Sequence, residues 1–137
     1  MPRAEWNFVA KRPVVKIEFQ IVATGQRTEL TLLADTGAGE SDSEFDLILS
    51  EHDCDRFDGV LTRSVELVGA YIGRFPVYMM VAWIPSIGFS DFVRVAGVAT
   101  SPERHDGVAC LPFFNQFTYG NFGRPDSFGL EFDPTVA

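Results

Sequence analysis

The ten residues "LLADTGAGES", positions 32–41, place one carboxylate, Asp35, at the end of an apolar run and then turn the chain through small residues. A charge at the inner end of a strand needs a partner or a task, because an uncompensated buried carboxylate is costly. Upstream, "VVKIEFQIVA" (14–23) alternates, with Val15, Ile17, Phe19 and Ile21 on one face and Lys16, Glu18 and Gln20 on the other. That period of two marks a half-buried strand. "TGQR" supplies a turn and "TELTLLA" returns, so the first third predicts a β-hairpin whose second strand delivers Asp35.

Beyond the motif, "GESDSEFD" reads as an exposed acidic loop, "FDLILS" (45–50) as a short strand and "EHDCDRFDG" as a loop. The strands "SVELV" and "FPVYMMVAWI" flank "GAYIG" (69–73), a second hairpin with a glycine-bounded tip. "DFVRVAGVA" (91–99) adds a strand and "TSPERHDG" a loop. One helix is predicted, "LPFFNQF" (111–117), with Pro112 in its first turn and Phe113 and Phe117 on one face. "YGNFGRPDS" breaks the chain, and "FGLEF" closes it as an alternating strand. The reading is all-β with one short C-terminal helix, in a single domain over residues 1–137.

Thirteen phenylalanines point to a core packed from aromatic rings. The net charge of −8, with scattered Lys and Arg, argues against nucleic acid as a partner. No apolar run approaches the roughly 18–20 residues of a membrane span, and "MPRAEWNFVAKRP" lacks an apolar signal-peptide centre. The expectation is a cytoplasmic protein without a membrane partner. Cys54 and Cys110 have no CxxC spacing and read as buried thiols, while His52 and His105 read as surface residues rather than metal ligands. Glu40, Asp42, Glu44 and Asp46 read as a solvated acidic loop, without the central glycine and terminal glutamate of an EF-hand. No GxSxG nucleophile elbow is present.

The order "LLADTGAG", "VELVGAYIGRFPVYM", "FVRVAGVA", "DGVACLPFFNQF" and "FGLEF" resembles the retroviral-type (retropepsin-like) aspartic proteases over about residues 14–132. The resemblance implies a closed barrel of the acid-protease type and a homodimer, each subunit giving one Asp-Thr-Gly. It implies an aspartic endopeptidase in which paired Asp35 side chains activate a water, with no cofactor or metal. Thr36 would bond across the dimer, Gly37 would turn the backbone tightly, and Ala38 would leave room for substrate main chain. Gly69, Ala70, Tyr71, Ile72 and Gly73 would form the tip of a flap over an extended peptide, with Asp58-Gly59 as the rival tip. The segments "RAEWNF" and "FGLEF" would join a shared interface sheet.

Two features depart from the family pattern. Cys110 stands where a glycine is usual, and "GESDSEFD" lengthens the stretch after Ala38. A non-catalytic dimerisation or peptide-binding module on the same fold is therefore the alternative. A third arrangement would pair Asp35 with Asp106 of the same chain, although "HDG" lacks the threonine that follows Asp35.

Overall fold

The computed structural model describes residues 2–68, 71–100 and 104–133. In order these form β1 (Arg3–Asn7), β2 (Val14–Ile21), β3 (Gln26–Ala34), β4 (Leu47–Ser50), α1 (Glu51–Arg56), β5 (Val60–Leu67) and β6 (Gly73–Ile84). A 3₁₀ turn at Pro85–Ile87 leads into β7 (Phe89–Val98), followed by β8 (Gly107–Ala109), α2 (Leu111–Phe114), β9 (Thr118–Gly120) and β10 (Ser127–Glu131). No helix among the described residues is long and apolar enough to cross a membrane.

The alternation of β2 is realised: Val15, Ile17 and Phe19 are fully buried, whereas Lys16 and Glu18 are half-buried and Gln20 is exposed. In β3 the alternation stops at its end, and Leu32, Leu33 and Ala34 are all buried. At that end β3 lies between β2 and β8 in the sheet, Leu32 and Ala34 pack in the main core, and Leu33 lines a cleft. The strands follow the ring order β2-β3-β8-β4-β7-β6, and a Glu18↔Trp83 pairing of β2 with β6 closes a six-stranded barrel. β5 pairs with β6 outside that ring, so the β5–β6 hairpin projects from the barrel.

Phe19, Phe89, Phe113 and Phe114 are fully buried in the barrel core. Phe19 stacks on Phe57 at 5.0 Å, and Phe89 meets Phe113 edge-on at 5.9 Å. Each such ring contributes roughly 1.5–3 kcal/mol by leaving water. The terminal segments form their own three-stranded sheet, β1-β10-β9, with Trp6 opposite Phe128. Phe128 then touches Phe114 of α2 at 5.5 Å, which ties this sheet to the barrel. These strands pair with each other inside one chain.

The barrel is built twice over. The β2–β3 hairpin, β4 and α1 are repeated as the β6–β7 hairpin, β8 and α2. The registers agree: Val15↔Leu32 in the first hairpin corresponds to Tyr78↔Val95 in the second. Leu32 pairs in parallel with Gly107, and Val95 pairs in parallel with Leu47. An internal pseudo-two-fold axis therefore passes through the antiparallel pair Ile48↔Val108. Under it, Asp35 corresponds to Val98 and Ser50 to Cys110.

Several expectations need correction. A second helix, α1, occupies the stretch read as the loop "EHDCDRFDG". Ser50 caps it, its side chain accepting from the Asp53 N–H at 3.2 Å, with Glu51 and Asp53 in the first turn and Arg56 in the last. The C-terminal helix is shorter than 111–117: α2 ends at Phe114 and single turn bonds carry the chain to Phe117. β9 overlaps the start of the stretch read as a chain break, and β5 starts at Val60, earlier than "SVELV". His105 is half-buried rather than on the surface.

Candidate active site

Asp35 leaves β3 where the parallel partner β8 ends, and its N–H donates to the Ala109 carbonyl at 3.0 Å. The chain then folds back tightly. The Ala38 N–H donates to the Asp35 carbonyl at 3.0 Å, and the Gly37 N–H donates to the Asp35 carboxylate Oδ1 at 3.1 Å. A side chain at Gly37 would put its Cβ 3.3 Å from that oxygen, so glycine keeps the carboxylate uncrowded. The Leu111 N–H donates to the Ala38 carbonyl at 2.9 Å, tying the loop to the first residue of α2. Asp35 is half-buried, whereas Thr36 and Gly37 are exposed.

Behind the loop lies a layer the sequence did not announce. Asp46, expected in solvent with the other loop acids, is 8% exposed and belongs to the interior. Its carboxylate accepts from the Arg94 N–H at 2.8 Å, from Arg94 Nε at 3.2 Å and from Arg94 Nη2 at 3.1 Å. The Cys110 N–H donates to the Asp46 carbonyl at 2.9 Å. One residue thus fastens β7 to the turn that supports Asp35. Hydrogen bonding to Asp46 raises the Arg94 pKa above its ordinary value, so the guanidinium stays charged.

Cys110 is fully buried beneath the loop, and burial, followed by the charges of Asp35 and Asp46, pushes its thiol pKa well upward. It stays protonated and is a packing group, not a nucleophile. Cys54, on α1, is also buried, and burial followed by Asp53 and Glu51 pushes its pKa up to about 12.

Asp35 opens into a cleft of about 670 Å³ whose apolar lining includes Leu33, Phe45, Ile48, Leu67, Val108 and Tyr71. Ala38 and Gly37 line it as well, so three of the four motif residues face it. The β5–β6 hairpin forms one side. Gly69 and Ala70 lie outside the described residues, but their neighbours Val68 and Tyr71 both line the cleft. Tyr71 is half-buried against a cluster that contains Phe45, Ile48 and Val108, and burial raises its hydroxyl pKa. Val68 and Ile72 are 90% and 80% exposed, so the described residues around the tip carry bare apolar surface. Gly73 starts β6 with φ +131°, a conformation that favours glycine. The rival tip, Asp58-Gly59, is the turn between α1 and β5, and the Gly59 N–H is bonded to the Cys54 carbonyl at 2.9 Å. It does not line the cleft.

Asp106 does not meet Asp35. Its carboxylate accepts from the Thr31 N–H at 2.8 Å and its own N–H donates to the Thr31 carbonyl at 2.8 Å. That is four residues back along β3 from Asp35, roughly 13 Å at the rise of an extended strand. At the position related to Asp35 by the internal axis stands Val98, 1% exposed. Among the described residues, the arrangement is therefore one motif carboxylate, Asp35, with Thr36 and Gly37 exposed beside it, at an apolar groove whose lining also includes Glu40. Comparison of the chain with protein-family models, with curated proteins and with solved structures returns no match.

Proposed function

We propose that the chain is an aspartic endopeptidase of the retropepsin type, acting as a homodimer on extended peptides. The observation that carries this reading is the half-site: Asp35 faces a peptide-sized apolar cleft, and the internal repeat offers Val98 where a second acid would be needed. Thr36 and Gly37 lie exposed beside Asp35, where a second copy can approach them.

Two such carboxylates brought about 3 Å apart cannot both ionise, so they share one proton. The ionised Asp35 takes a proton from a water as the water oxygen bonds to the scissile carbonyl carbon. The partner subunit's Asp35, protonated, gives its proton to the carbonyl oxygen. The carbon–nitrogen bond then breaks as the nitrogen takes the proton held by the first Asp35 and the partner subunit's Asp35 takes one back from a hydroxyl of the diol, which restores the shared proton, and no covalent enzyme intermediate forms. The β5–β6 hairpin would cover the peptide and exclude water. Its backbone would pair with the substrate as an added strand.

Cleavage of a mixed peptide library by the native chain and by Asp35→Asn tests the reading. The expected loss is roughly 10³-fold or more, with the dimer retained. A dimer that binds peptide and leaves it intact would instead identify a non-catalytic binding module, and a strict monomer would remove the dyad altogether.

A further inference from the structure

The four acids of the loop after Ala38 divide into two kinds. Glu44 pairs with Arg63 of β5, and Asp46 with Arg94 of β7. Glu40 and Asp42 make no ion pair among the described residues. Of these two, Glu40 alone lines the cleft. The cleft lining holds two charged residues, Asp35 and Glu40, and both are negative.

Glu40 is placed by a built turn. Gly39 adopts φ +76°, which favours glycine, the Glu40 N–H donates to Ser43 Oγ at 2.8 Å, and the Ser43 N–H donates to the Glu40 carbonyl at 3.1 Å. The preceding residue pair is anchored through the Ala38 carbonyl to α2. The backbone at Glu40 is thus fixed relative to Asp35, and Glu40 is an exposed acid lining an apolar groove, with no cation paired to it among the described residues.

We propose that the cleft selects extended peptides that carry a lysine or arginine close to an apolar side chain, and that Glu40 is the residue that recognises this cation. The inference rests on the reading that the cleft takes peptide. The apolar lining accepts the uncharged side chain, and the carboxylate favours a positive neighbour and repels an acidic one. A charge-assisted contact beside an apolar groove is worth about tenfold in selectivity. Raising the salt concentration narrows that ratio, since the rim is open to ions.

The test uses decapeptides with Phe-Leu at the centre and Lys, Gln or Glu placed in turn at each flanking position. Two readouts are taken: kcat/KM for cleavage, and calorimetric binding of the same peptides with the central bond as a reduced amide. The native chain is expected to favour Lys over Glu by about tenfold at one or two adjacent positions. Glu40→Gln should bring the ratio near unity, and Glu40→Lys should invert it. An unchanged ratio in Glu40→Gln, or no ratio in the native chain, overturns the assignment. Charge-selective binding without cleavage upholds Glu40 and sinks the peptidase. Cleavage without charge selection does the reverse, and failure to bind any peptide overturns both.

Discussion

The two halves of the barrel share one topology and end differently. β3 runs out beside β8 and hands its next residue, Asp35, to an open cleft, whereas β7 runs out beside β4 and ends on Val98, packed in the interior with Phe45, Ile48 and Val77. The first half ends at the candidate site and the second ends in packed core. Such a division is workable if the missing carboxylate comes from an identical chain, because a two-fold interface supplies the same loop twice.

The largest expected effect is on chemistry. Asp35→Asn should cut peptide cleavage by roughly 10³-fold or more while leaving the thermal unfolding transition in place, since the side chain stays the same size. Copying the first half onto the second is the next test. Val98→Asp puts an unpaired carboxylate into an apolar cluster and should cost about 3 kcal/mol in denaturant unfolding. It should not create an active monomer. If Val98→Asp were neutral and active, the division between the halves would be wrong.

Asp46→Ala probes the fastening behind the loop. Arg94 is partly exposed, which tempers the loss, so about 2 kcal/mol is expected by chemical denaturation, with activity falling because the turn under Asp35 loosens. The buried thiols give a pH test of about 1 kcal/mol. The Cys54 pKa is raised from 9.0 to about 12, so above pH 9 the unfolded chain loses this proton while the folded chain keeps it. Stability from this group is present below that pH and is lost as pH rises through the window, at up to about 1.4 kcal/mol per pH unit. Cys54→Ala should show a correspondingly flatter decline between pH 9 and 10. The smallest effect concerns the caps: Ser50 caps α1 with its side chain, whereas Cys110 makes no such bond to α2. Ser50→Ala should cost about 1 kcal/mol in thermal unfolding.

What the sequence disclosed follows the range of the forces involved. The alternation of β2, the turn before β3 and the apolar lead into Asp35 are local patterns, and they placed the loop correctly at a strand end. α1 was missed although Ser50 and Asp53 have capping spacing, because its residues are mostly polar and show no helical apolar stripe. β8 and β9 are three residues each, too short to impose a period, and exist through tertiary pairing. Asp46 was hidden by its neighbours: among Glu40, Asp42 and Glu44 it reads as one more solvated acid, and its partner Arg94 is 48 residues away. The usable signal was its position between Phe45 and Leu47, inside an apolar run. Closure of the barrel by β2 and β6 likewise has no local signature.

A mixing experiment tests the shared dyad most directly. Native chain is incubated with increasing amounts of Asp35→Asn chain under conditions that allow subunits to exchange, and cleavage per native chain is followed. If each active site needs Asp35 from both subunits, a tenfold excess of the variant should reduce the activity per native chain to roughly a tenth, because nearly every native subunit is then paired with an inert one. Activity that stays constant across the titration would mean that one chain carries the whole reaction, and would contradict the account.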